Sequence, residues 1–386
     1  MTRVCMVTSS GKCGIGRYAS FLAEEIRKVG GVNLFTVRQL PVKGINDLIR
    51  LISDVVELNP DVVHVQFDYP FFGSHGQLFP LFVLGVKIAS RIRHGKYPRF
   101  VVSLHEIDSE RGVKSIKGRV YVKLFNLFLA RFVDVLVVLS RLAWKELLST
   151  SSFTKFREKV HFIPHGSTRI RKMNKRRFEQ KYGLEGFKHR GDLVLGMLGF
   201  ICWEKGHDIL LKAIERLSNV RLVVAGMPRL AEHKPYYEEL LDYSKRLAGS
   251  VRFIGFIEDK DIPSFFGYVD ALVLPYRRIR QSGVLNLALA HGVPVIASDL
   301  PEFREVERYG CVLLFEKENY LDLARKIRLI SSRRVRMNLA RNAEKYYRDN
   351  SLTRVAKSYV SLYLSVAKKS PREDPRTRCQ CYEHGW

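Results

Sequence analysis

Residues 280–299 carry the groups best suited to binding an anion. Ser282 can cap a helix with an apolar face, a buried strand follows this helix, and another apolar strand precedes it. This order presents helix N-terminal amides at the carboxyl edge of a parallel sheet. A phosphate would find the N–H groups of Ser282, Gly283 and Val284 there. The alternative is an ordinary strand-to-helix turn that holds no ligand.

A glycine-rich loop over residues 9–17 follows the first predicted strand. Gly14 and Gly16 are spaced like the first two glycines of a dinucleotide fingerprint, but the third glycine is missing. Gly11 and Lys12 do not form a P-loop either. The loop therefore suits a phosphate or a sugar without identifying either.

Polar residues end four of the apolar strands predicted in the first half of the chain. Open α/β sheets bind ligands at the edge where the carboxyl ends of their strands meet. We therefore expect these side chains to face a cleft, with a buried, hydrogen-bonded position as the alternative for the first histidine. The residues are His64 and Gln66, His105 and Glu106, Ser140, and His165.

Apolar strands alternate with amphipathic helices along both halves of the chain, and a basic, polar segment over 167–190 separates the halves. This alternation predicts the α/β class with two doubly wound domains. The length of 386 residues agrees with two domains, because single cores rarely grow past about 250–300 residues.

The formal net charge of +26 is the strongest signal in the composition. It indicates a polyanionic partner such as nucleic acid, anionic lipid or a phosphorylated substrate, or else a Lys/Arg-rich surface inherited from a hot-growing source. No apolar run reaches the roughly 20 residues of a membrane span, and the N-terminus lacks the pattern of a signal peptide. The six scattered cysteines fit neither a disulfide framework nor a zinc site. We therefore expect a cytoplasmic protein with reduced thiols.

Several motifs together resemble the retaining glycosyltransferases of family 4, also called glycosyltransferase group 1, over residues 1–368. Each motif by itself is weakly specific, but the order and spacing of the motifs together are specific. The resemblance implies the GT-B fold, in which two Rossmann-like doubly wound domains face each other and a C-terminal helix crosses back. The motifs are Gly14-Ile-Gly-Arg-Tyr18, the strand 61–66, His105, Ile163-Pro-His-Gly166, and the segments 199–206, 251–257 and 291–296.

The resemblance assigns a role to each part of the chain. Residues 1–170 would form a Rossmann-like acceptor domain and residues 191–349 a Rossmann-like nucleotide-sugar donor domain, with 171–190 as the interdomain connection. Residues 350–368 would form a helix that packs back on the N-terminal domain, and residues 369–386 a mobile tail.

The resemblance also implies how the reaction is catalysed. Negative charge accumulates on the leaving diphosphate, so fixed positive potential matters more than a base. Lys205 would supply that charge, unless it is a solvated surface lysine, and His105 would hydrogen-bond the transferred sugar. No DxD-type metal site is visible, so we expect no metal and no cofactor beyond the nucleotide-sugar donor. The expected donor-binding residues are Gly14, Gly16, Gly199, Phe256, Ile257, Gln281, Ser282, Gly283 and Val284.

Three positions depart from the family pattern. Phe200 stands where the family usually has an arginine, and Ile279 and Leu287 stand where it usually has two glutamates. The contacts to the ribose and the sugar must then come from other residues. The candidates are Gln281, Asn286 and Glu258.

The main hypothesis is a retaining, metal-independent hexosyltransferase with a lipid-linked or other membrane-surface acceptor. A basic helix predicted over 111–129 carries apolar residues beside its charges, so it could lie on an anionic membrane at the inner face of the cell membrane. Alternatively, those apolar residues pack on the N-terminal sheet. The rival functions are a GT-B transferase with a soluble sugar acceptor and a non-catalytic GT-B scaffold. A nucleic-acid partner is not expected, because no aromatic-interleaved RNA motif is visible.

Overall fold

The computed structural model describes residues 1–10, 13–106, 115–169, 173–247, 249–279 and 282–368. The chain divides into two compact units. The first unit contains residues 1–164 together with the end of the chain from Val355, and the second contains His165–Arg354. Each unit has its own six-stranded sheet and its own hydrophobic core.

The first unit is built on a parallel sheet. Its strands are β1 (Thr2–Ser9), β2 (Val32–Leu40), β3 (Val62–Phe67), β4 (Arg99–Leu104), β5 (Val135–Val138) and β6 (Val160–Phe162). In space they follow the order β2-β1-β3-β4-β5-β6. The helices between them are α1 (Gly14–Val29), α2 (Ile45–Glu57), α3 (Phe79–His94), α4 (Ile116–Phe132) and α5 (Arg141–Leu148).

The second unit repeats this design. Its strands are β7 (Leu193–Leu198), β8 (Val220–Ala225), β9 (Val251–Gly255), β10 (Ala271–Leu274), β11 (Val295–Ser298) and β12 (Val312–Phe315), in the parallel order β12-β11-β10-β7-β8-β9. Its first helices are α6 (Lys175–Lys181), α7 (His207–Ile214), α8 (Lys234–Lys245) and α9 (Ile262–Tyr268). They are followed by α10 (Gly283–Ala290), α11 (Pro301–Glu307), α12 (Tyr320–Ile330) and α13 (Arg333–Asp349), and α14 (Leu352–Lys368) ends the described chain.

Strand β3 shows why the sequence forms this kind of sheet. All six of its residues are buried, as is usual for a parallel strand covered by helices on both faces. Its apolar residues Val63, Val65 and Phe67 enter the core. Its polar residues His64 and Gln66 are also fully buried, so they need hydrogen-bond partners within the protein.

The boundary between the units differs from the expected one. Residues 171–190 were expected to connect two domains, but the described part of this segment belongs to the second unit. Phe178, Leu184 and Phe187 lie in the core of that unit. These apolar residues therefore place the segment in the second unit. The chain passes from the first unit to the second between Pro164 and His165.

Helix α14 passes from the second unit into the first at Val355. Tyr359 and Tyr363 on this helix are fully buried, and both are hydrogen-bonded to residues of the first sheet. The tail at 369–386 lies outside the described residues.

Candidate functional site

The N-terminus of α10 has the geometry expected of an anion site. Ser282 is the N-cap residue, and its Oγ accepts a hydrogen bond from the Leu285 N–H at 3.1 Å. A Cβ added to Gly283 would meet no atom within 4 Å, so an approaching ligand would find open space there. The N–H groups of Gly283 and Val284 precede the first intrahelical hydrogen bonds. Gln281 lies outside the described residues.

The end of β7 lies beside this helix N-terminus. A Cβ added to Gly199 would lie 3.8 Å from Val284 Cγ2. Gly199 and Val284 are 85 positions apart in the sequence, and both were expected to bind the donor. The fold of the second unit brings them together.

Lys205 lies over the face of a buried tyrosine. Its Nζ is 3.7 Å from the ring centroid of Tyr276, which is only 1% exposed. A cation over an aromatic face is attracted by the ring quadrupole. Lys205 is half-buried, so it differs from the solvated surface lysine that was the alternative.

The turn that carries Lys205 requires a glycine after it. Gly206 has φ +67, and a Cβ on it would lie 1.9 Å from the Pro275 carbonyl oxygen. Any side chain at this position would push the turn away from the end of β10.

Arg277 clamps the same turn, a role that the sequence analysis missed. Its N–H donates to the Glu204 carbonyl at 2.8 Å, and Nη1 donates to the Trp203 carbonyl at 2.8 Å. Its guanidinium also forms a bidentate pair with Asp208 at 2.7 and 2.9 Å. Planar bidentate pairs fix geometry as well as charge. The sequence signal for this role was an arginine three residues after a buried strand, together with an acidic residue just after the turn that carries Lys205.

His207 follows this turn and is almost fully buried. Burial, and to a lesser extent the charge of Lys205, lower the pKa of His207 to about 3. Its ring is therefore neutral at physiological pH, and among the described residues its Nδ1 has no hydrogen-bond partner.

Two other predicted donor-binding residues differ in exposure. Phe256 follows β9 and is 62% exposed, whereas the Ile257 side chain lies in the core. Only the backbone of Ile257 could contact a ligand, because its side chain is already used for packing.

The positions that depart from the family pattern are apolar in the structure as well. Ile279 is a core residue and Leu287 packs against the core, so neither supplies a hydrogen-bond acceptor from its side chain. Phe200 lies at the surface, with the guanidinium carbon of Arg229 5.4 Å from its ring centroid.

Two of the proposed replacements for the glutamates already have partners. Asn286 bonds His165 Nδ1 at 3.2 Å and accepts from the Tyr346 hydroxyl at 2.8 Å. Glu258 pairs with Lys181 and Lys260. The third candidate, Gln281, is the one that lies outside the described residues.

In the first unit, the two loop glycines have different surroundings. Gly14 opens α1, is exposed, and would have no atom within 4 Å of an added Cβ. Gly16 is buried, and a Cβ there would lie 2.3 Å from the Ser10 carbonyl oxygen. Gly14 can therefore approach a ligand, whereas Gly16 is required for packing. Cys13 caps the helix through its Sγ, which accepts from the Gly16 N–H at 3.3 Å.

His105 follows β4 and is half-buried. Its Nε2 lies 2.7 Å from Gln66 Oε1, and its ring meets the ring of Tyr18 edge-on at 5.8 Å. His64 is fully buried and hydrogen-bonded, so the alternative given for this histidine was right. Gln66, expected to face a cleft, is fully buried as well. Burial lowers the pKa of His64 to about 3.

Helix α4 has a buried face and an exposed apolar face. Phe125 and Leu129, expected to be available at the surface, are instead core residues. For this buried face of α4, the alternative expectation, that its apolar residues pack on the N-terminal sheet, is therefore the right one. The exposed apolar residues are Ile116 (73% exposed), Val120, Leu124 (61%), Leu127 and Phe132. The exposed basic residues of the helix are Lys117, Arg119, Lys123 and Arg131. Arg111 and Lys114 lie outside the described residues.

Two kinds of feature are absent from the described part of the chain. No group of three or more His, Cys, Asp or Glu residues there could hold a metal ion. No described helix is both long enough and apolar enough to cross a membrane.

Residues 192–332 match the family model described as glycosyl transferases group 1. Phosphatidyl-myo-inositol mannosyltransferase of Mycobacterium tuberculosis is 30% identical over 132 residues, which is 33% of this chain and 33% of that protein. An uncharacterized glycosyltransferase of Methanocaldococcus jannaschii is 26% identical over 174 residues, which is 43% of each chain. This chain therefore spans 33% of the length of the mannosyltransferase that it matches.

Solved structures resemble the whole chain. Anabaena HepE in complex with UDP has a TM-score of 0.70 at 17% identity, over 94% of this chain and 100% of that one. A glycosyltransferase from Rickettsia africae has a TM-score of 0.72 at 13% identity, over 96% of this chain and 99% of that one. At these identities the likeness concerns the fold. The predicted α/β class and GT-B fold are thereby confirmed.

Proposed function

We propose that this chain, whose residues 192–332 match the family model of the group 1 glycosyl transferases in agreement with its motifs, is a glycosyltransferase that moves a sugar from a nucleotide sugar to an acceptor at a membrane surface. One observation carries the proposal. In the second unit, the open N-terminus of α10 adjoins Gly199, and the half-buried Lys205 is held on Tyr276. These groups provide positive potential without a metal ion.

The proposed reaction breaks the bond between the anomeric carbon and the diphosphate oxygen. The electron pair leaves with the diphosphate, and an acceptor hydroxyl oxygen forms the new bond to the same carbon. The proton of that hydroxyl passes to the departing phosphate on the same face, so the anomeric configuration is retained. The charge that develops on the diphosphate is stabilised by Lys205 and by the amides of Gly283 and Val284.

The donor step can be tested with a thermal-shift panel of nucleoside diphosphates. A ligand at 100 times its dissociation constant should stabilise the protein by about 2.7 kcal/mol. Lys205→Ala should lose most of this shift, while Lys212→Ala, an exposed lysine on α7, should keep it. A panel in which no nucleoside diphosphate shifts the wild-type protein would contradict the donor site.

His105 is proposed to hydrogen-bond the transferred sugar. His105→Ala should then lower turnover while the affinity for the nucleoside diphosphate stays nearly the same. A large loss of nucleotide affinity would instead mean that His105 contacts the phosphate or stabilises the fold.

The membrane acceptor is supported by the exposed face of α4, with apolar residues Ile116, Val120 and Leu124 beside Lys117 and Lys123. Such a helix can lie in the headgroup layer of an anionic membrane. Each nearby Lys or Arg contributes about 1 kcal/mol, and this attraction falls off within a Debye length. The name of the mannosyltransferase relative, which refers to phosphatidyl-myo-inositol, agrees with a lipid acceptor.

Vesicle cosedimentation separates a membrane acceptor from a soluble one. We expect binding to anionic vesicles, weak binding to neutral ones, and loss of binding when Lys117, Arg119 and Lys123 are replaced by Gln. The matched control replaces three exposed arginines of α13 by Gln. Equal loss in both variants would show that total charge, and not α4, governs the binding. The control residues are Arg333, Arg334 and Arg341.

A non-catalytic scaffold is the second candidate, favoured by the apolar side chains at Ile279 and Leu287. Measurable donor hydrolysis that disappears in Lys205→Ala would argue against it. Nucleotide binding without turnover on any lipid or soluble acceptor would favour it.

A further inference from the structure

A chain of buried polar groups runs behind His105 in the first unit. His105 Nε2 lies 2.7 Å from Gln66 Oε1, and Gln66 Nε2 lies 3.2 Å from His64 Nε2. Gln66 and His64 are fully buried. A buried network of this kind stabilises one arrangement only when every member has a suitable partner.

Helix α14 closes the far end of this chain. The Tyr363 hydroxyl lies 2.6 Å from His64 Nδ1, although the two residues are 299 positions apart. Ser103 Oγ lies 2.8 Å from His64 Nε2 and 2.7 Å from the Tyr359 hydroxyl. His64 therefore has partners on both ring nitrogens, and one of these partners comes from the C-terminal helix.

The donor and acceptor roles along the chain depend on one another. Burial lowers the pKa of His64 to about 3, so its ring is neutral and has one donor and one acceptor nitrogen. In this orientation of the Gln66 amide, its NH₂ group donates to His64 Nε2, which leaves the His64 proton on Nδ1, facing Tyr363. The Gln66 carbonyl can only accept, so His105 must donate to it from Nε2.

The geometry points to Gln66 as a positioning residue that, oriented by His64 and Tyr363, accepts a hydrogen bond from His105 and so keeps a proton on its Nε2. This inference rests on the proposed function only for its effect on the reaction. The hydrogen on Nε2 leaves Nδ1 as the acceptor nitrogen of His105, so the polarity of the ring is set before a sugar binds. The edge-on contact with Tyr18 further restricts rotation of the ring.

The direct test is the histidine ring-nitrogen NMR spectrum of isotopically labelled full-length protein, because these shifts distinguish the protonated nitrogen from the lone-pair nitrogen. The His105 signals are assigned by their loss in His105→Asn. In the wild-type protein at neutral pH we expect the proton on Nε2. A proton on Nδ1 would overturn the inference without any variant being made.

Variants test whether Gln66 transmits this preference. Gln66→Met keeps the length of the side chain but removes both hydrogen bonds, so we expect a mixture of His105 tautomers. Gln66→Glu keeps an oxygen that accepts from His105, so we expect the Nε2 proton to be retained. Gln66→Met removes the acceptor for His105 and Gln66→Glu keeps it, whereas a merely structural role predicts the same His105 spectrum in both.

Helix α14 supplies a remote test with a matched control. Tyr363→Phe frees His64 Nδ1 and should introduce the second tautomer of His105. Tyr359→Phe removes an equally buried hydroxyl from the same helix, but one that bonds Ser103, and should leave the His105 spectrum unchanged. Identical spectra in the two variants would overturn the proposed role of Tyr363.

Kinetics then separate this inference from the proposed function. Gln66→Met should lower kcat by roughly three- to tenfold, the effect expected of one neutral hydrogen bond, with nearly unchanged nucleoside diphosphate affinity. If the tautomer shifts as expected but no donor is turned over even by the wild-type protein, the proposed function fails and the positioning role stands. A loss of kcat with an unchanged tautomer would contradict the positioning role.

Discussion

The two units share a sheet design, but they equip the carboxyl edge of the sheet in different ways. In the second unit, backbone groups dominate: the open N-terminus of α10, Gly199 beside it, and a turn that brings Lys205 to Tyr276. In the first unit, side chains dominate: His105 is connected through Gln66 to His64 and so to α14.

This difference follows from what each edge is proposed to recognise. A diphosphate has a fixed charge, which amides and one lysine can match without titrating. A sugar has hydroxyl groups that both donate and accept, so the polarity of a nearby ring has to be set. Backbone sites of the first kind are marked by glycines and caps in the sequence, whereas networks of the second kind depend on distant partners.

The largest expected effect comes from the charge in the second unit. Lys205→Ala should lower turnover by roughly 10²–10³-fold, as losing one preorganised group at a developing charge typically does. Steady-state kinetics with a competent donor measure this effect, and Lys212→Ala is the matched control. Unchanged turnover in Lys205→Ala would contradict the proposal that a fixed charge in the second unit stabilises the leaving diphosphate.

Acid should destabilise both units through histidines whose pKa is lowered by burial. The pKa of His64 and that of His207 are lowered by burial from 6.5 to about 3. Above pH 6.5 both rings are neutral in the folded and unfolded states, so their contribution to stability is full. As the pH falls from 6.5 towards 3, the unfolded chain takes up protons that the folded chain resists, and the contribution is lost.

At about pH 5.5 each histidine should have lowered the free energy of unfolding by about 1.4 kcal/mol. Urea unfolding at neutral and at acidic pH measures the difference. Burial also lowers the pKa of His165, to about 4, so this histidine contributes in the same direction. His207→Leu should therefore reduce this pH dependence by about one third. A free energy that does not change with pH would contradict the burial of both rings.

Removing the aromatic support of Lys205 should have a smaller effect than removing the lysine. Tyr276→Leu keeps an apolar group in the core but removes the ring face, and a partly desolvated cation over an aromatic ring is worth about 0.5–2 kcal/mol. We therefore expect turnover to fall by roughly three- to thirtyfold, with a smaller loss than in Lys205→Ala. Equal losses in the two variants would mean that the tyrosine acts by another route.

The smallest effect compares one helix cap in each unit. Ser282 caps α10 and Ser115 caps α4, each with its Oγ 3.1 Å from a backbone nitrogen. Replacing either by Ala should cost about 1 kcal/mol of stability. Only Ser282→Ala should also weaken nucleoside diphosphate binding in a titration. Similar weakening by Ser115→Ala would show that the loss follows stability and not the site.

The sequence by itself predicted the α/β class with two doubly wound domains, because alternating apolar strands and amphipathic helices are local patterns. The GT-B fold was implied by the resemblance of its motifs to family 4. It also placed Ser282 at a helix cap and identified the glycine-rich loop over residues 9–17. It was wrong about residues 171–190, where the basic residues concealed Phe178, Leu184 and Phe187 in the core.

Only the tertiary structure decided which partners the polar residues have. The sequence left His64 either facing a cleft or buried, and the structure shows it buried and bonded to Tyr363. The structure also revealed that Tyr276 lies beneath Lys205 and that Arg277 holds the turn that carries Lys205. The physical reason is range: periodicity reports which face of an element is apolar, whereas a hydrogen bond between residues 299 positions apart depends on how whole elements pack.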